Sequence, residues 1–79
     1  MLFLIEYDRN RGRVVTIREF EDSEEQKAAD SRLEMELELH RRGTNHEVVL
    51  LEAASEEAVR RTHRRYFESL EALANSPIQ

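Results

Sequence analysis

The chain has 79 residues, of which 37% are charged and 39% are hydrophobic, and its net charge is −5. A chain of this length holds one domain with a thin core, and without cysteine no disulfide can strengthen that core. The acidic balance argues against a general nucleic-acid binder, and the longest apolar runs fall far short of the roughly 20 residues that span a bilayer. We therefore expect a single cytoplasmic domain over residues 1–79, with no membrane segment and with a frayed tail at about 75–79.

The first two predicted strands form a hairpin. Residues 2–7 (LFLIEY) are apolar on both faces, which is typical of a central strand covered on both sides. Residues 8–12 (DRNRG) have the composition of a turn. Residues 13–20 (RVVTIREF) are rich in β-branched residues and mostly alternate, which indicates an edge strand with one polar side.

Residues 32–43 (RLEMELELHRRG) have the period of a strand but the composition of a helix. Apolar and acidic residues alternate from Leu33 to Leu39, yet Leu, Met and Glu favour helices and none of the apolar residues is β-branched. A helix that ended before this stretch would bury almost nothing. We therefore predict a helix that continues to Arg42 and is capped by Gly43.

The start of this helix carries two overlapping capping-box patterns. Asp22 is followed three residues later by Glu25, and Ser23 is followed by Gln26 at the same spacing. The acidic residues around them also suit the positive end of the helix dipole. We expect the helix to begin at Asp22.

The alternation divides the apolar residues of this helix between two sides. At about 100° per residue, Leu33 and Leu37 lie on one line, which we expect to face the sheet. Met35 and Leu39 lie on a second line, which we expect to face a neighbouring helix or a partner chain. The alternative is that residues 33–39 form a strand, so that the chain repeats ββα to give ββαββα.

The rest of the chain predicts a strand followed by a helix. Residues 46–53 (HEVVLLEA) are apolar on both faces in the middle of the run, as in the first strand. Ser55 is a suitable cap for a second helix that runs to about Asn75. One face of that helix gathers Val59, Thr62, Tyr66, Leu70 and Leu73.

The predicted fold class is α+β, in the order ββαβα. It has a three-stranded antiparallel sheet of order 2-1-3, packed with two long helices on one face. The other face would then expose apolar residues of the strands, such as Phe3 and Ile5, and soluble monomers rarely leave such a patch open. One helix on each face is the alternative. We predict a homodimer whose interface includes Phe3, Ile5, Met35 and Leu39.

The sequence favours a non-enzymatic interaction or regulatory module that self-associates through an apolar sheet face. The alternative is an anion or nucleic-acid binder, because residues 60–67 (RRTHRRYF) combine aromatic residues with Arg60, Arg61, Arg64 and Arg65. Glutamates four residues before Arg60 and Arg61 offer a competing explanation, which is a helix face neutralised by ion pairs in solvent.

Catalytic and metal motifs are absent from the sequence. It has no glycine-rich phosphate loop, no nucleophile elbow and no histidine pair at the spacing of a helical metal site, so we predict neither a cofactor nor a bound metal. If the chain were an enzyme, the groups to examine for acid–base chemistry would be His63 with Tyr66 or Tyr7.

Overall fold

The computed structural model describes residues 1–67. Its elements, in chain order, are β1 (Leu2–Asp8), β2 (Arg13–Phe20), a 3₁₀ turn (Asp22–Glu24), α1 (Glu25–Arg42), β3 (His46–Glu52), α2 (Glu56–Thr62) and α3 (Arg64–Phe67). The sheet has the order β2-β1-β3 and both pairings are antiparallel, so the predicted α+β class and sheet order are confirmed. The tail that we expected to fray lies outside the described residues.

The central strand β1 is buried from Leu2 to Tyr7, as its two apolar faces predict. The turn to β2 forms because the carboxylate of Asp8 accepts hydrogen bonds from the backbone N–H groups of Asn10 and Arg11. Gly12 closes the turn with φ of 66°, a backbone conformation that residues with a Cβ rarely adopt.

Helix α1 includes the whole stretch that alternates, so the alternative ββαββα fold is wrong. It ends at Gly43, where φ is 67° and the backbone N–H bonds to the carbonyl of His40. Its start differs from our prediction, because the capping box joins Glu21 and Glu24 across the 3₁₀ turn. The carboxylate of Glu24 accepts from the N–H of Glu21 at 2.9 Å, and that bond lowers the pKa of Glu24.

The orientation that we predicted for α1 is wrong. Leu39 is only 4% exposed and Met35 packs against the core, whereas Leu33 is 58% exposed and Leu37 is 53% exposed. The two lines of apolar residues differ little in hydrophobicity, so periodicity could not choose between them. The inward line includes Ala28, whose small side chain is fully buried and lets the helix lie close to the sheet.

The helices lie on opposite faces of the sheet, so placing both on one face was wrong and the alternative that we considered is correct. On one face, α1 covers a cluster that contains Leu2 and Leu4. On the other face, Val59 of α2 packs with Phe3 and Ile5, and all three side chains are fully buried. The crossover that follows β2 carries α1 over one face, and the chain leaves β3 towards the other.

The second helix is shorter than predicted. The hydroxyl of Ser55 caps α2 by accepting from the N–H of Ala58 at 3.1 Å, as expected, but the helix ends at Thr62. His63 departs from helical geometry, and α3 follows as a short separate helix. Tyr66 is buried as predicted, whereas Thr62 is exposed. The predicted positions Leu70, Leu73 and Asn75 lie outside the described residues.

Candidate interaction surfaces

The outer edge of β3 is a strand edge that no other described strand covers. The sheet ends at β3 on this side, and residues 48–51 are all apolar and half-buried. An edge strand exposes backbone N–H and C=O groups that can pair with another chain. Proteins usually protect such an edge with charges, proline or a bulge, and the middle of β3 has none of these.

The hydrogen bonds at the end of the sheet show which residues of β3 face this edge. Met1 and Ala53 exchange two backbone hydrogen bonds, each of 3.0 Å. Bonded and non-bonded pairs alternate along an antiparallel ladder. Leu51, Val49 and Glu47 therefore bond to β1, and the residues between them direct their N–H and C=O groups outward. Those residues are His46, Val48, Leu50 and Glu52.

The opposite edge of the sheet, formed by β2, is protected. The register between β1 and β2 shifts at Glu6 and Tyr7, which marks a bulge. Arg13, Arg18 and Glu19 add exposed charges along β2. A bulge and charged side chains both discourage pairing with another strand, so β3 is the edge that can accept one.

The outward side of α1 lies beside the same edge. Glu36 and His40 line an open cleft of about 320 Å³, together with Val48 at the start of β3. Leu33 precedes His40 by seven residues, which places it about 20° away on the helix surface. The exposed Leu33 therefore stands on the side of α1 that is turned towards the open edge, whereas the exposed Leu37, about 160° from the buried Leu39, points away from the sheet.

The predicted arginine site is partly assembled. Arg60, Arg61 and Arg64 line a shallow hollow of about 440 Å³ with Phe67, and the guanidinium carbon of Arg60 lies 4.6 Å from the centre of the Phe67 ring. Arg65 is not part of this hollow and binds Glu47 instead.

Glutamates neutralise part of this arginine face. Arg60 pairs with Glu56 at 3.4 Å and Arg61 pairs with Glu57 at 3.2 Å, as the spacing of four residues predicts. These side chains are largely exposed, so each ion pair contributes little to stability.

A polar cluster that we did not predict joins β3 to α3. The hydroxyl of Tyr66 donates to the carboxylate of Glu47 at 2.5 Å, and Arg65 and Arg9 pair with the same carboxylate at 3.4 and 3.2 Å. The Tyr66 hydrogen bond, followed by the two arginines, lowers the pKa of Glu47 below its usual 4.5. Burial, followed by the bond to Glu47, raises the pKa of Tyr66 above 10.0.

The same cluster determines the protonation state of Tyr66, which the sequence paired with His63 for acid–base chemistry. Tyr66 meets Tyr7 edge to face at 5.0 Å, and its ring centre lies 6.4 Å from that of His63. The raised pKa keeps Tyr66 a neutral phenol whose proton is committed to Glu47. The arrangement therefore ties α3 to the sheet through hydrogen bonds.

A second unpredicted cluster lies on the α1 face of the same sheet end. The largely buried carboxylate of Glu6 lies 2.5 Å from Nδ1 of His46, and Nε2 of His46 lies 3.7 Å from the carboxylate of Asp8. The sequence contains one indication of this cluster: Glu6 lies inside the apolar run LFLIEY, and a buried carboxylate needs a polar partner. The partner could not be identified before the antiparallel register placed Asp8 opposite His46.

Within residues 1–67, no group of His, Asp and Glu side chains has the geometry to hold a metal ion. In the same part of the chain, no helix has both the length and the apolar composition that crossing a membrane requires. The chain matches no protein-family model, no curated protein and no solved structure.

Proposed function

We propose that this chain is a small non-enzymatic interaction module that self-associates. One observation carries the proposal: the exposed Leu33 of α1 stands beside a strand edge that is apolar and that no other strand within residues 1–67 pairs with. Leu33 and Leu37 each expose more than half of their surface, and Leu33 lies about 20° from His40, which lines the cleft along β3. Adjacent apolar surface and free backbone groups form the kind of surface that soluble chains cover with a partner.

The contact surface differs from the one that the sequence indicated. Phe3 and Ile5 fill the core beneath α2, and Leu39 is buried at the base of the cleft between α1 and β3. Because these side chains are buried inside one chain, the surface exposed for contact with a partner is the edge of the sheet and not its face. A contact at the edge requires no rearrangement of either helix.

Sedimentation equilibrium over a wide range of protein concentration tests this proposal. We expect the mass to rise from that of one chain towards that of two chains as concentration increases. Replacing both Leu33 and Leu37 with Glu should weaken the association by roughly tenfold or more, because it places charges in the contact. The matched control is Val15→Glu, which changes an exposed apolar residue on the opposite edge and should leave the association unchanged. A single-chain mass at every concentration would overturn the proposal.

The second candidate function is anion or nucleic-acid binding at the arginine hollow. Three arginines around one aromatic ring are suited to a phosphate next to a stacked base. Binding to a single-stranded oligonucleotide should weaken steeply as salt increases. Replacing Arg60 and Arg61 with Gln should reduce both the affinity and its salt dependence.

The control for this second candidate replaces Arg41 and Arg42 with Gln, which removes the same charge from the end of α1. If this control weakens binding equally, the attraction is a general effect of charge and not a property of the hollow. If no binding occurs at low salt, the second candidate is excluded.

A further inference from the structure

We propose that two copies of this chain pair through the outer edges of β3, antiparallel and centred on Val49, to form one continuous sheet of six strands. This inference rests on the self-association proposed above and specifies its partner, symmetry and register. The occupant of the edge is a second copy of this chain. A two-fold axis perpendicular to the sheet at Val49 relates the two copies.

The hydrogen-bond pattern of β3 restricts the possible registers. His46, Val48, Leu50 and Glu52 offer outward N–H and C=O groups, so bonded pairs between copies must join members of this set. Centring the pair on Val49 places Val48 opposite the partner's Leu50, and His46 opposite the partner's Glu52. All the outward groups of the strand are then satisfied in both copies.

Charge selects the same register. Glu52 is exposed and makes no ion pair among residues 1–67, and in this register it meets an imidazole. Nε2 of His46 lies too far from Asp8 for a hydrogen bond, so it can serve a carboxylate of the partner. Moving the centre to Leu50 would place Glu52 opposite the partner's Val48, and moving it to Val48 would place His46 opposite the partner's Leu50. Either shift separates His46 from Glu52 and leaves outward groups unpaired.

The position of α1 fits this arrangement. A two-fold axis perpendicular to the sheet keeps both copies of α1 on the same face. Each α1 packs between β1, through Leu2 and Leu4, and β3, through Val48 and Leu50. With strands spaced about 4.8 Å apart, the two helix axes would lie roughly 9.6 Å apart, within the 8–10 Å at which helices pack.

The surfaces of α1 that would meet are complementary. The two helices run antiparallel, so the edge side of α1, which carries Leu33 and His40, meets the same side of the other copy, with Leu37 at the outer rim of the contact. The basic last turn of α1, with His40 and Arg41, approaches the partner's half that contains Asp30. Antiparallel helix dipoles add to this attraction. Glu36, which lies near the axis, is neutralised within its own helix by Arg32 at 2.9 Å.

A cysteine cross-link tests both pairing and register, because the natural chain has no cysteine. At the two-fold axis Val49 faces its own copy in a non-hydrogen-bonded pair, where Cα atoms are about 4.5 Å apart and a disulfide can form. We expect Val49→Cys to form a disulfide-linked dimer in a glutathione redox buffer. Leu51→Cys is the matched control on the same face of β3, because its copies would lie roughly 13 Å apart and cannot be linked.

Hydrogen exchange on the natural chain provides a test that requires no substitution. The outward amides of Val48 and Leu50 should gain protection of roughly tenfold or more as protein concentration rises, because pairing buries them in a ladder. If sedimentation shows a dimer but Val49→Cys is not linked and these amides stay unprotected, the pairing is wrong and self-association stands. If Leu51→Cys is linked as readily as Val49→Cys, the register is wrong. A single-chain mass at every concentration would overturn both proposals.

Discussion

Replacing Val59 with Ala tests whether α2 covers the second face of the sheet. Val59 is fully buried against Phe3 and Ile5, and it is the one fully buried side chain that α2 contributes to this core among the described residues. If α2 lay elsewhere, this face of β1 would be open and the substitution would have little effect. The loss of stability therefore tests the position of α2, which we had predicted on the other face of the sheet.

The expected cost follows from the atoms that are removed. Losing two methyl groups from a buried site costs about 1.6 kcal/mol at about 0.8 kcal/mol for each group. The cavity that remains, roughly 50 Å³, adds about 1.2 kcal/mol at about 24 cal/mol for each Å³. Alanine regains about 0.5 kcal/mol through its better helix propensity. We expect the free energy of unfolding to fall by about 2 kcal/mol, which is a large part of the stability of so small a domain.

Urea unfolding followed by circular dichroism measures this cost. With an m-value of about 1 kcal/mol/M, the midpoint should fall by roughly 2 M without a change in m. Val15→Ala is the matched control, because it removes the same atoms from a side chain that is 46% exposed and should cost about 0.5 kcal/mol. Equal midpoints for the two variants would refute the placement of α2 over Phe3 and Ile5.

Three further predictions test the remaining features of the fold. Leu39→Ala should lower the free energy of unfolding, measured in urea, by roughly 2–4 kcal/mol, because Leu39 is buried. Leu37→Ala should lower it by less than about 0.5 kcal/mol, because Leu37 is exposed. If Leu37→Ala cost more than Leu39→Ala, the orientation of α1 predicted from the sequence would be correct after all. Gly43→Ala should lower the free energy of unfolding, measured by thermal unfolding, by about 1 kcal/mol. A Cβ at this position meets no atom within 4 Å, so the whole cost comes from the φ of 67°. A stability equal to that of the natural chain would contradict the left-handed cap. Tyr66→Phe should cost about 1–2 kcal/mol near neutral pH by removing a hydrogen bond to the Glu47 carboxylate. The lowered pKa of Glu47 contributes stability that is present above pH 4.5 and is lost as the pH falls through the folded-state pKa, and the raised pKa of Tyr66 contributes stability that is present below pH 10.0 and is lost as the pH rises through its folded-state pKa. Urea titrations of the two proteins across pH should show both losses reduced in Tyr66→Phe, and identical pH profiles would contradict the Tyr66–Glu47 bond.

Only some of the contacts at the candidate surfaces could be predicted from the sequence. The spacing of four residues correctly predicted the ion pairs of Arg60 and Arg61, because helix geometry alone brings such residues together. The Tyr66–Glu47 bond and the Glu6–His46 pair join residues that are far apart in the chain. Such pairs depend on strand register and on the path of the chain after β3, and no local pattern encodes either.

The sequence by itself determined the three strands, the long helix α1 and the start of α2, together with their order, because these depend on local physics. The turn chemistry at residues 8–12, the cap at Ser55 and the stop at Gly43 each act within a few residues, and helix propensity outweighed the strand-like alternation of residues 33–39. Only the tertiary structure decided which line of α1 faces inward and which face of the sheet α2 covers. Both choices compare alternatives of similar hydrophobicity, and the difference lies in close packing between distant parts of the chain, such as Ala28 against β1 and Val59 against Phe3. The same packing covered the faces of the sheet and left β3 as an edge that no other strand within residues 1–67 pairs with.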